Sequence, residues 1–367
     1  LGGGHGLHAS LRALRRLVDE VVVDDLTAVV TVADNGGSSG RLRGEFGVLP
    51  PGDLRMALAA LCGLDEWGGT WERVLQHRFA GEGEMNGHVV GNLLIVALWE
   101  QLGDHVQALD LVGRLLGSAG RVLPMALTPL DITAQVRGLD PADDDALTLV
   151  RGQVEVATTG GVITRVDLEP AAPRPCPEAL QAVADADWVV LGPGSWFSSV
   201  IPHLLVPDLR HALVSTAARV VVVLNLEEQP GETGGFGPAD HLAVLVAHAP
   251  ELAVHTVLAD TRIGAEERAH LLEVVEAAGA RLVVADVASA DGGPRHDPVK
   301  LAAAYESTVP GAGAPGRLAS RSRAASTPSC AAATPCAPDH RTGCPGPRPQ
   351  VSNSTSVARC SPCGRPR

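Results

Sequence analysis

Residues Thr31–Arg55 read TVADNGGSSGRLRGEFGVLPPGDLR. The run leading into them, Leu26–Val32, is apolar and β-branched, as expected of a strand covered on both faces. The segment beyond that run is too polar and too rich in glycine to be core. Amides freed by glycines, hydroxyls, guanidinium groups and a carboxylate at a strand end suit an anionic, hydroxyl-rich ligand such as a nucleotide.

Outward from this stretch the hydrophobic period alternates between strand and helix. Leu7–Glu20 sets Leu7, Leu11, Leu14, Leu17 and Val18 on one helical face. Asp53–Leu61, Trp71–Phe79, Val89–Leu102 and Asp104–Leu116 predict a helix-rich middle section, and residues 120–170 a small excursion of short strands. Strands are then expected at Asp187–Leu191, Arg219–Leu226, Leu252–Ala259 and Arg281–Val287. Helices are expected at Pro238–His248, Ala265–Ala278 and Pro298–Tyr305. The pattern predicts an α/β fold: a Rossmann-like, doubly wound, mostly parallel sheet with a helical middle section and a small β excursion.

The chain has 367 residues, 45% of them hydrophobic, enough for a large core. A net charge of −13 argues against general binding of nucleic acid or anionic membranes, and no apolar run reaches the length of a membrane span. These features predict a soluble, cytoplasmic protein. Only Cys62 and Cys176 precede residue 311, so the body is no disulfide scaffold.

Residues 311–367 differ in kind. They lack Phe, Trp, Tyr, Ile, Met, Lys and Glu, and with eight Arg against one Asp they carry +7, leaving −20 on residues 1–310. Such a segment cannot bury enough apolar surface to offset chain entropy, so disorder is expected, despite the zinc-knuckle spacing of Cys360 and Cys363. It reads as a readthrough or frame-shifted extension of a domain spanning 1–305. At the other end, a glycine turn that normally follows a buried strand begins almost at once, so the strand before Gly2 is nearly missing.

Most polar, glycine-rich segments follow a predicted strand. Parallel strands share one carboxyl edge, and ligands bind there at the point where strand order reverses. Gly3, Gly4 and Gly6 open a helix whose amides suit a phosphate or ribose, or form merely a tight turn. Asp34, Asn35, Gly36, Gly37, Ser38, Ser39 and Arg41 supply a strand-end carboxylate, hydroxyls and a guanidinium; the alternative is a flexible loop. Asp53 is either a helix cap or a second carboxylate beside Asp34, the pair then implying a divalent cation. Asn92, on an apolar helix, requires a partner if buried. Gly192, Gly194 and Ser195 resemble a phosphate-cradling turn, without the spacing of a nucleophile elbow. Asn225 and Thr233 add amide and hydroxyl groups. Arg295 lies past the last strand, either in a solvated charge cluster or closing over a pyrophosphate.

Taken together, GGGHGL, TVADNGGSSGRLR, FGVLPPGDLR, GHVVGNLL, LGPGSWFSSVIPHLLVP, NLEEQPGETGGF followed by ADH, and RHDPVKLA resemble the YvcK family of gluconeogenesis factors. That family lies within the CofD-like superfamily of 2-phospho-L-lactate transferase. The resemblance covers residues 1–305 in order. His5 departs from it, standing where such proteins usually carry Thr or a similar small polar residue. It implies a cytoplasmic protein needed for cell shape and wall synthesis on gluconeogenic carbon and binding UDP-sugars such as UDP-N-acetylglucosamine; on this reading the protein acts through protein partners of wall synthesis, and no turnover is expected. Arg295 then looks like the arginine required for nucleotide-sugar binding. Asp34, Asn35, Ser38, Ser39, Asp53, Asn92, Gly194 and Ser195 look like the pocket wall. The alternative is a Mg²⁺-dependent transferase using a UDP-sugar or related dinucleotide, with the ion on Asp34 or Asp53. A homodimer is compatible with either reading.

Overall fold

The strand that leads into the glycine–serine segment, β1 (Thr27–Val30), pairs in parallel with β2 (Arg121–Pro124). A second parallel sheet runs β6 (Trp188–Leu191), β7 (Arg219–Val223), β8 (Thr256–Asp260), β9 (Arg281–Ala285), neighbours in that order. These observations come from a computed structural model, which describes residues 1–229 and 231–308. The expected disorder of residues 311–367 and the Cys360/Cys363 pair lie outside the described residues.

Leu1 and Gly2 join the two parallel sheets. Gly2 donates to the Val29 carbonyl and accepts from Thr31 at 3.0 Å; on the other side the Leu1 amine donates to Val190 at 2.7 Å, and Leu1 accepts from Gly192. The short segment therefore occupies the place of a central strand, giving the order β2, β1, Leu1–Gly2, β6, β7, β8, β9. From it the chain proceeds outward to β1 and β2 on one side, and the later strands fill the other. That is a reversal of strand order, and in open α/β sheets the crevice that takes ligands lies beyond the carboxyl ends at such a point.

Both faces of the sheet are covered, as the unbroken apolar strands require. Val220, Val222 and Leu224 enter the larger core, whereas Val221 and Val223 face the opposite way, toward Ala13 and Leu17 of helix 4–19 and Leu301 and Tyr305 of helix 298–308. The two terminal helices are tied by a buried hydrogen bond of 2.7 Å between Ser10 Oγ and the Tyr305 hydroxyl.

The excursion is a three-stranded antiparallel sheet in the order β4 (Leu147–Arg151), β3 (Asp131–Arg137), β5 (Val162–Glu169). It is smaller than expected, because β2 belongs to the main sheet. Four residues, RVLP, carry too little periodicity to tell the two apart. Helices at Gln153–Ala157, Pro177–Asp185 and Pro207–Ser215 were not legible in the sequence. Among the described residues no helix is long and apolar enough to cross a membrane.

Candidate functional site

Three helices begin near these strand ends: Gly4–Asp19, Gly37–Phe46 and Gly52–Ala60, and their N-cap residues, Gly3, Gly36 and Pro51, offer no capping side chain of their own. The second was expected to be loop. Gly-Ser-Ser-Gly is a poor helix former, but its serines are held from outside. Ser39 Oγ accepts from Gly52 N at 3.0 Å. Ser38 Oγ accepts from Val89 N at 3.2 Å and from Asn92 Nδ2 at 3.1 Å, and lies 3.2 Å from His88 Nδ1. With both lone pairs engaged, the Ser38 proton goes to His88, which is therefore the neutral Nε2–H tautomer. Asn92, buried as its setting demanded, completes the chain by accepting from Arg55 Nε at 2.9 Å.

The two carboxylates sit at the centre of this arrangement. Asp34 accepts from Gly36 N at 2.8 Å, and burial raises its pKa against the opposing hydrogen bonds of Gly36 and Ser39. Asp53 is buried and pushed up to about 7, first by desolvation and then by the charge of Asp34, against a hydrogen bond from Gly4 N. Its Oδ2 has no hydrogen-bond partner. Arg55, held below its ordinary range by burial and by the charge of Arg78, faces both carboxylates.

Separate stretches of the chain meet here. A Cβ on Gly3 would come within 2.5 Å of Asp53 Oδ2 and 3.1 Å of Ser199 Oγ, so the glycine turn, helix 52–60 and the segment after β6 touch one another. A Cβ on Gly6 would fall 2.3 Å from the Pro193 carbonyl, so only glycine lets the two turns come this close. Asn225 holds Gly194 by both backbone groups, at 3.0 and 2.9 Å. Glu232, whose buried carboxyl is shifted upward by desolvation, accepts from Ser198 N at 2.9 Å.

The residues singled out in the sequence divide accordingly. Gly3, Gly6, Asp34, Ser38, Ser39, Asp53 and Gly194 come together at the strand ends, and Gly4, Gly36, Gly37, Gly192 and Ser195 adjoin them in the chain. Asn92 and Asn225 stand behind this group, their amides engaged by protein. Thr233 is enclosed in its own loop, accepting from Gln229 N at 2.9 Å. Asn35 spends its amide on Glu155 and Val154, and Arg41 its guanidinium on the carbonyls of Glu84 and Asn86. Arg295 is exposed, pairs with Asp291, and lies in the loop after β9, four strands from Leu1–Gly2. Its neighbour Pro294 lines a separate hollow of about 760 Å³, with Glu227, Glu228, Phe236 and Glu267. Thr31, Arg55, Ser199 and Glu232 are part of the arrangement, although the sequence reading did not choose them as site residues. Arg55, two residues from Asp53 on the same helix, carried the clearest signal.

This geometry has relatives. Residues 1–293 match the family described as 2-phospho-L-lactate transferase CofD. A gluconeogenesis factor of Listeria innocua is 35% identical over 320 residues, 84% of this chain and 94% of that protein. The chain belongs to the gluconeogenesis-factor family of CofD-like proteins. Within that family, a Mycobacterium tuberculosis relative is 53% identical over 308 residues, 83% of this chain and 88% of the relative. The fold of the gluconeogenesis-factor family is also seen in a crystal structure of a UPF0052 family member from Bacillus halodurans. That structure has a TM-score of 0.72 and 32% identity, over 83% of this chain and 96% of that one.

Proposed function

We propose that this chain binds a nucleotide sugar of the UDP-N-acetylglucosamine type in the crevice, as a cytoplasmic regulatory protein of gluconeogenic growth that acts on cell shape and wall synthesis through protein partners. One observation carries the reading. The helix starts at Gly4 and Gly37 flank Asp34 and Asp53, with open space where a Cβ on either glycine would stand. The positive ends of two helices favour phosphate oxygens, and strand-end carboxylates accept ribose hydroxyls. The names of the relatives support the role in gluconeogenic growth. Binding shifts the population toward a partner-binding conformation, with no turnover.

The paired carboxylates fit a magnesium ion. Oxygen donors suit it, Asp53 Oδ2 lacks a partner, and two carboxylates leave positions for phosphate and water, the usual arrangement for this ion. Asp34 and Asp53 would hold it, and it would neutralise the diphosphate. The same pair favours a second reading, supported by the family description: a Mg²⁺-dependent transferase moving a group linked to the nucleotide phosphate.

Calorimetry with UDP-N-acetylglucosamine, with and without Mg²⁺, tests the first reading; no heat at millimolar ligand rejects it. Following the ligand by NMR with candidate acceptors separates the two, since steady consumption of the bound nucleotide sugar establishes the transferase.

A further inference from the structure

Helix Gln153–Ala157 connects β4 to β5 and touches loops that follow three of the parallel strands. On one wall Asn35 clasps it: Asn35 Nδ2 donates to Glu155 Oε2 at 2.8 Å, and Val154 N donates to Asn35 Oδ1 at 3.0 Å. On the other wall the helix lies against residues 196–200, and Gly231 approaches its last turn so closely that a Cβ there would meet the Ala157 carbonyl at 2.5 Å. The next residue, Glu232, is bonded to Ser198 N. The short helix thus bridges the loop after β1 and the loops after β6 and β7.

The helix is anchored through Val156, which enters the main core, while its clasp to Asn35 is light. Both clasp bonds are exposed, where water competes for each of them. Only Val156 of the helix is buried, and Val154 is 42% exposed. Glycines flank the helix: Gly152, at φ 106° and bonded through its N–H to the Ile132 carbonyl, and Gly160, with nothing near its Cβ position; their backbones can take conformations closed to other residues.

We propose that helix 153–157 is the lid of the crevice, latched by Asn35 and hinged at Gly152 and Gly160, and that it must lift to admit ligand. This rests on the nucleotide-sugar reading. It reassigns Asn35: while the lid is shut, its amide serves the latch, and the residue turns to ligand only after release.

The test is a reversible bolt. A Cβ built on Gly36 lies 3.0 Å from a Val154 methyl carbon, and Gly36 has an ordinary extended backbone (φ −93°, ψ 156°). Cysteines at both positions in the full chain, Gly36→Cys with Val154→Cys, are near enough for a disulfide. With UDP-N-acetylglucosamine as probe, association by the oxidised protein is expected to fall at least ~100-fold below that of the same protein reduced, wild type under the same oxidant being unaffected. Glu155→Ala, which loosens the latch, should raise the association rate several-fold at nearly constant Tm. Equal rates in the oxidised and reduced forms overturn the lid, as does failure of the bond to form. If wild type binds no nucleotide sugar, it is the functional reading that fails. Hydrogen exchange then decides the lid alone: amides of residues 153–157 are expected to exchange far faster than those of β7, and core-like protection overturns it.

Discussion

Asn225 grips Gly194 at both ends, its Oδ1 accepting from the glycine N–H and its Nδ2 donating to the glycine carbonyl. A single side chain at the end of β7 thereby fixes the backbone of the turn after β6, and that turn leans on Gly3 and Gly6. Asn225→Ala removes both bonds and leaves two backbone groups without partners. The expected loss is about 1–3 kcal/mol of stability in urea unfolding, with weaker nucleotide-sugar binding. An unchanged midpoint would show that the turn holds itself.

Asp53 makes stability depend on pH in the direction opposite to an ordinary paired carboxylate. Its folded pKa of about 7 lies above the usual 3.8, so between these values the folded state binds the extra proton. Stability from this group is present below pH 4 and lost as pH rises through 7, by on the order of 4 kcal/mol at most. Asp53→Asn should flatten the profile between pH 4 and 7 and stabilise the free protein at pH 8, read from urea midpoints at pH 5 and 8.

Magnesium should act on the same carboxylates. If the ion sits between Asp34 and Asp53, millimolar Mg²⁺ raises Tm at pH 8 and does little at pH 5, where Asp53 is protonated and competes. Chelation should reverse the gain, and Asp53→Asn should abolish it. A Tm rise that is equal at both pH values, or that persists in Asp53→Asn, would place the effect elsewhere.

Gly6 and Gly44 give a matched pair. At Gly6 an added methyl meets the Pro193 carbonyl at 2.3 Å and the Gly194 Cα at 2.5 Å, backbone on both counts, whereas at Gly44 nothing stands within 4 Å. Gly6→Ala should cost about 2–3 kcal/mol or more and weaken nucleotide-sugar binding. Gly44→Ala, within helix 37–46, should stabilise by about 0.5–1 kcal/mol. Thermal melts of the two variants side by side check both.

The sheet was legible because parallel strands covered on both faces appear as uninterrupted apolar runs, and because glycine-rich turns punctuate them. Helix 238–248 matches its expected bounds, and Asn92 announced its need for a partner by standing among Leu and Val. Polar residues were harder. Glu232, within Gln-Pro-Gly-Glu-Thr, looks like surface charge, and only the meeting of two distant loops buries it. Arg41 has the chemistry of a phosphate ligand, yet its guanidinium goes to two carbonyls of residues 84–86. Arg295 follows a strand like the others, but sequence order does not reveal that this strand is the far edge of the sheet. A side chain's chemistry is local, whereas its partner is decided by topology.

Ser10 and Tyr305 stand 295 residues apart in the chain and share one buried hydrogen bond. During synthesis the first helix therefore emerges long before the last helix that will cover it. At roughly 5–20 residues per second, the interval is about 15–60 s. Through that time Ala13 and Leu17 have no final partner on that side, a natural point of engagement for a chaperone on the nascent chain.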